Sequence, residues 1–438
     1  MSTLTGIDIG PLLALPMPRT LEESGLKLDL IVQLLLKTLY FEGELTGMQL
    51  AERLGMGFSA IEPGIGALKN QHFCEIVGGT SLGGPSYRYR ISILGRERAA
   101  MFLEHNMYIG VAPVPLDQYL RYLASYPSSA GQISRKRVEK AFSHLVLSDR
   151  VLDQLGPAVN AGHSLFVYGP PGNGKTVISQ AIRNLLLGEI WIPYALEING
   201  SIVKVYDPVN HEAVPMEEDA PGLQATEVPD KRWVRCKRPL ITVGGELTLD
   251  ALDLQYNSSA GFYRAPIQLL ANGGILVIDD FGRQRCSPQA LLNRWIVPLE
   301  SRVDYLTLQS GQKVALPFMV MPVFATNLKP ADLVDEAFLR RIQYKVLCES
   351  PTEDDYRLIF KNTCADKNLE FDPALVEYLL ENIYRPRNIA VRGCQPRDLI
   401  GAALMLGQYR GEPRRLTAEL LEAACSTYFV DEESQAQA

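Results

Sequence analysis

Eight consecutive residues, Gly169-Pro170-Pro171-Gly172-Asn173-Gly174-Lys175-Thr176, constrain this chain more than any others. They fit the pattern Gly, four residues, Gly-Lys-Ser/Thr. Ser164-Leu165-Phe166-Val167-Tyr168 before them reads as a short apolar strand, and 177–187 after them as a helix. Glycines let such a loop wrap with its N–H groups pointing inward, and the following helix N-terminus adds a favourable dipole for an anion. In that setting Lys175 reaches the β- and γ-phosphates of a nucleotide, and the Thr176 hydroxyl ligates Mg²⁺.

A second landmark is Gly273-Gly274-Ile275-Leu276-Val277-Ile278-Asp279-Asp280. Four apolar residues followed by an acid predict a buried strand carrying a carboxylate to its C-terminal end, where parallel α/β sheets place their sites. Asp279 is expected to hold Mg²⁺, largely through water, and Asp280 to orient or deprotonate the attacking water. Met321-Pro322-Val323-Phe324-Ala325-Thr326-Asn327 is another apolar strand ending in a polar residue, and Asn327 suits both a γ-phosphate and a water. Arg340-Arg341 ends a short predicted helix, and Arg397 lies in a longer one. Arginine suits delocalised phosphate charge because its fork is planar and always ionised.

The N-terminal third has helical spacing over 29–41 (Leu30, Ile31, Leu34, Leu35, Tyr40), a break at Gly43, and a second helix over 46–54. A third, over 58–71, is interrupted by Pro63. Strand-like pieces at 73–77 and 87–93 flank the glycine-rich turn 78–85, and a helix follows from Gly95 to about Asn106. The stretch 89–99 resembles the wing-to-helix passage of bacterial winged-helix regulators. Over 29–105 there are seven Lys/Arg and eight Asp/Glu, and Lys69 is the only basic residue of the reader-helix candidate. That balance favours protein docking over DNA contact, although Arg88 and Arg90 alternate along one face of the wing.

The phosphate loop, Asp279-Asp280, Asn327, Arg340-Arg341 and Arg397, in this order, resemble an AAA+ ATPase over about 135–430. The resemblance implies Walker A at 169–176, Walker B ending at Asp279-Asp280, sensor 1 at Asn327, an arginine finger at Arg341 or Arg340, and sensor 2 at Arg397. It implies an α/β fold: a P-loop core with a parallel sheet between helices and a C-terminal helical lid, here joined to an N-terminal winged helix-turn-helix. The finger of this superfamily acts on a neighbouring subunit's nucleotide, which implies a homo-oligomer, most often a hexameric ring. The stretches 273–285 and 291–300 are similar to a poorly characterised bacterial group labelled ATPases with chaperone activity. Walker B here ends Asp-Asp where the superfamily usually has Asp-Glu, so Asp280 is one methylene shorter and hydrolysis is expected to slow unless the backbone compensates. The Gly-Ala-Phe-Thr-Gly-Ala loop of the AAA+ activators of bacterial RNA polymerase is missing, which excludes that role.

These features divide the chain into an extension (1–26), a winged-helix-like domain (27–108), a linker (109–134), a nucleotide-binding domain (135–349), a helical lid (350–430) and a disordered tail (431–438). The linker is expected to contain one helix over 116–125, and 148–155 a short helix packing over the nucleotide base. A hairpin is expected over 305–314, and Phe262-Tyr263 offer either a pore-loop pair or core aromatics. Arg283 and Arg285 line either a subunit interface or a solvated turn; His144 and His163 have no acid or serine partner in motif spacing, and all five histidines read as structural.

A net charge of −7 disfavours bulk binding to nucleic acid. Seven cysteines without a C-x-x-C pair indicate neither a disulfide framework nor a zinc site. No run of about eighteen apolar residues predicts a membrane span, and 1–20 lacks the basic start of a signal peptide, so the cytoplasm is expected. Three functions are consistent with this pattern. One is an ATP- and Mg²⁺-dependent ring that remodels a protein substrate, with the N-terminal domain as adaptor. The others are an ATP-gated DNA-binding switch and an assembly module with structural ATP.

Overall fold

The computed structural model describes residues 15–79, 83–126, 133–186, 188–215 and 228–429. The expected glycine-rich turn falls partly, and the tail wholly, outside these residues. The chain forms two compact units. The first comprises Met1–Gly131, Leu186–Leu276 and Ala290–Met321; the second comprises Gln132–Leu185, Val277–Gln289 and Pro322–Ala438.

In the first unit, helices Leu28–Glu42, Gly47–Leu54 and Phe58–Asn70 pack over a three-stranded antiparallel sheet. Its order is Glu44–Thr46, Arg88–Ile91, Cys74–Gly78, and helix Ile93–His105 follows. Local chemistry places the ends: Thr46 and Gln49 form a reciprocal capping box at the start of 47–54. The third helix does not break at Pro63. Proline has no backbone N–H, so the helix forgoes the bond that residue 63 would give to the Ser59 carbonyl near its start. Packing along its buried side, through Ala60, Ile61, Gly64, Ile65 and Leu68, carries it through.

The stretch expected as a connector is instead built into a core. Val114–Pro115 is an edge strand of a five-stranded sheet, ordered 255–257, 262–264, 201–204, 195–198, 114–115. Helix Leu116–Ser125 brings Tyr119, Tyr122 and Leu123 beneath it, with Trp233 5.0 Å from the Tyr122 ring. Strands Val303–Thr307 and Lys313–Pro317 make the hairpin expected there. Tyr263 is buried and its hydroxyl accepts from the Gln309 N–H, which makes it a packing residue.

In the second unit, the strand that ends at Thr326, strand 165–168 and strand 344–347 lie side by side in that order. Strand Leu165–Tyr168 runs parallel to both neighbours, Met321–Thr326 and Tyr344–Leu347. Its side chains at 165, 166 and 167 are fully buried, as a strand covered on both faces requires. The C-terminal region is helical: Glu353–Asp366, Pro373–Leu379 continuing to Tyr384, Gln395–Arg410 and Ala418–Tyr428. Tyr356, Phe360, Leu379, Leu399 and Leu421 form its own core. No helix among the described residues is long and apolar enough to cross a membrane.

Candidate nucleotide site

Strand 165–168 ends at Gly169, where the backbone turns with φ 142°. A Cβ there would stand 2.2 Å from the Cys348 carbonyl oxygen, so only glycine fits. Gly172 has φ 81°, and its Cβ would meet the Cys394 Sγ at 2.7 Å. The chain then enters helix Lys175–Ala181, whose first-turn N–H groups have no partner within the helix.

Lys175 is 8% exposed. Its Nζ donates to the carbonyls of Gly169 at 3.0 Å and Pro170 at 2.8 Å. Burial holds this ammonium below its ordinary range, opposed by the charges of Cys348, Asp280 and Asp279. The Thr176 hydroxyl donates to Asp279 Oδ2 at 2.8 Å, joining the loop to the tip of buried strand Ile275–Ile278. Asp279 Oδ1 accepts the Asp280 N–H at 3.0 Å. Two hard oxygen donors therefore stand side by side, a set that suits Mg²⁺, which usually keeps several waters and takes one or two protein oxygens.

Asp280 has φ 48°. Left-handed backbone costs most L-residues about 1–2 kcal/mol, and Asp and Asn enter it more readily than others. The shorter acid at this position is thus matched to a turned backbone. Phe281 N–H donates to the Ala325 carbonyl at 2.7 Å, and Thr326 Oγ1 donates to the Phe281 carbonyl at 2.8 Å, pinning the turn to strand 321–326. At the end of that strand, Asn327 Nδ2 donates to Asp280 Oδ1 at 3.3 Å.

These residues line a cavity of about 670 Å³ lying within the second unit. Pro171, Gly172, Asn173, Gly174, Lys175, Thr176, Asp279, Asp280, Asn327 and Arg397 all face it. Gly169 and Pro170 stand behind, holding Lys175. The lining sets the cations Lys175 and Arg397 against the carboxylates Asp279, Asp280 and Asp366. A phosphate chain entering it needs a further cation, in keeping with a metal on Thr176 and Asp279.

Arg397 is mostly exposed and paired with Asp398 at 3.0 Å. Arg340 and Arg341 end helix Glu336–Arg341 and do not line this cavity. Arg340 pairs with Glu336, both largely exposed, and the Arg341 guanidinium lies 5.5 Å from the Phe338 ring centre. Arg283 and Arg285 are exposed in the turn after Asp280.

Several contributors escape sequence reasoning. The segment His144–Leu147 lines the cavity, just ahead of helix Asp149–Ala161, which was expected to do so itself. The Cys394 N–H donates to the Gly172 carbonyl at 2.8 Å, and the Gly393 N–H to Asn173 Oδ1 at 3.3 Å. Main-chain groups of the C-terminal helical region thus bond the phosphate loop directly. Backbone contacts carry no side-chain signature, so no motif announces them.

A family model described as "Domain of unknown function (DUF8689)" matches residues 352–427. No curated protein matches the chain. The Thermotoga maritima RuvB Holliday junction branch migration motor aligns at 14% identity with a TM-score of 0.37, covering 70% of this chain and 74% of that one. The FIGL-1 AAA domain in complex with ADP aligns at 14% identity and TM-score 0.35, covering 71% and 86%.

Proposed function

We propose that this chain is a Mg²⁺-dependent ATPase of the AAA+ type that acts as an oligomer and remodels a protein partner. The observation that carries the ATPase assignment is the hydrogen bond from Thr176 to Asp279, 2.8 Å long, in a cavity shared with Lys175, Asp280 and Asn327. Thr176 and Asp279 would hold Mg²⁺, which would supply positive charge against the negative charge that develops during transfer. Lys175 exchanges its two loop carbonyls for phosphate oxygens, keeping charge-assisted hydrogen bonds throughout. Asp280 accepts a proton from the attacking water, and Asn327, bonded to its carboxylate, fixes that carboxylate and the water in line. Arg397 enters from the C-terminal helices to meet the γ-phosphate. Arg340 or Arg341, placed outside this chain's own cavity, serves the site of a neighbouring subunit in a ring.

The N-terminal helices and three-stranded sheet, which we assign as a winged-helix domain, act as the adaptor for protein. Two exposed arginines of that sheet, Arg88 and Arg90, are both engaged by Glu44, which leaves little net positive charge for phosphate contacts. ATP turnover per subunit measured against protein concentration, with Mg²⁺, tests the proposal. A rate that climbs steeply and then levels is expected. A flat rate near zero, with ATP still bound, contradicts hydrolysis completed between subunits.

A further inference from the structure

A second cavity, about 670 Å³ in volume, lies entirely within the first unit and has no part in nucleotide chemistry. Helix 28–42 contributes Leu30, Gln33 and Lys37, which follow one another along one side of the helix. Tyr256, Tyr263 and Ile202 supply an apolar wall from two short strand pairs. A pocket of this size and mixed lining is the usual form of a small-molecule site.

Lys37 is the feature that needs an explanation. It is 1% exposed, and buried lysines are ordinarily paired with an acid. Its Nζ donates to the Asn106 carbonyl at 3.1 Å. No ion pair to it occurs among the described residues. An ammonium has three donor positions, so the carbonyl leaves capacity unused at this depth. The acids of the cavity do not answer the charge: Asp29 is exposed, and Glu197 accepts the Gly200 N–H at 2.6 Å in its own turn. Burial pushes the Lys37 ammonium down to about 8, with no neighbouring charge opposing the shift.

We propose that this cavity binds a small carboxylate with an apolar body, its carboxylate on Lys37 and its body against Tyr256, Tyr263, Leu30 and Ile202. A monoanion fits because the site offers one buried cation, while the charges of its outer lining are mixed, Lys27 and His105 beside Asp29 and Glu197. The ligand supplies the counter-charge the fold omits, in a charge-assisted hydrogen bond. This site is independent of the ATPase assignment.

The test uses the full chain with phenylacetate, its neutral twin phenylacetamide, and inorganic phosphate. Ligand-detected saturation-transfer NMR on the wild type is expected to show phenylacetate binding at least tenfold tighter than phenylacetamide. Lys37→Met is expected to abolish that preference. Because this variant changes a buried residue, a second measurement keeps to the wild type: the ¹³Cε signal of Lys37 should shift on adding phenylacetate and not phenylacetamide. Equal binding of the two compounds, or a Lys37 signal that phenylacetate leaves unmoved, would overturn the proposal. So would a Lys37 signal that responds to phosphate in preference to phenylacetate.

Discussion

Lys175 and Lys37 are both buried ammonium groups, one in each unit of the chain, and burial depresses both. Their surroundings differ. Lys175 holds two carbonyls of a glycine-rich loop and feels the charges of Asp279 and Asp280. Lys37 holds one carbonyl and has no acid acting on it. The first belongs to a site whose chemistry is spelled out in neighbouring residues. The second is a charge left unanswered. A sequence motif reports the first kind because its parts are adjacent in the chain. Only burial and geometry report the second.

The largest effect expected concerns the two arginines outside the Lys175 cavity, Arg340 and Arg341. An arginine acting on transferring phosphate is worth about 10³-fold or more in turnover. Replacing both, Arg340→Ala with Arg341→Ala, should therefore stop turnover while leaving ATP affinity intact. Full activity in this double variant would place the finger elsewhere and leave the Lys175 site self-contained.

Nucleotide affinity separates the two lysines directly. Truncating one partner of a buried charge pair costs about 2–5 kcal/mol. By calorimetry, Lys175→Ala should lose Mg–ATP affinity on that scale, and Lys37→Met should stay within about twofold of wild type, as expected for sites that do not couple. Unchanged affinity in Lys175→Ala would sink the loop assignment.

The smallest effect is thermodynamic and distinguishes Lys37 by its pH dependence. Below about pH 8 its ammonium is charged in both folded and unfolded chains, and the folded state bears the full burial cost. Above that, the folded chain releases the proton before the unfolded chain does, so wild-type stability rises relative to a variant without the amine. Denaturant unfolding should thus show Lys37→Met more stable than wild type near pH 7, by at most about 3 kcal/mol. The gap should narrow between pH 8 and 10. A gap that widens there would mean an unseen acid partners Lys37.

The residues that line the candidate nucleotide cavity were largely legible because they sit at strand ends and in one contiguous loop. The run Ile275–Ile278 before Asp279, and the strand before Asn327, are buried through their whole length. The C-terminal helices were equally visible, since periodicity and caps such as Thr352 mark them. Most of the five-stranded sheet of the first unit was not, although 201–205 reads as a strand and forms one over Ser201–Lys204. Its strands are two to four residues long, drawn from distant segments, and too short for a period to register. The same distance hid the burial of helix 116–125, whose two tyrosines, Tyr119 and Tyr122, pack into a core from a stretch that reads as connector. The bonds from 393 and 394 to the phosphate loop come from backbone N–H groups, which every residue but proline has.

The central claim is that Asp280, on its left-handed backbone and bonded to Asn327, activates water against a phosphate chain held by Lys175 and Thr176. Single-turnover hydrolysis by wild type and Asp280→Asn, each at saturating Mg–ATP and with affinity measured alongside, tests it most directly. General-base catalysis contributes about 10²–10⁴-fold. Asp280→Asn is expected to bind ATP like wild type and to hydrolyse it slower by that factor. Equal rates in the two proteins would contradict it.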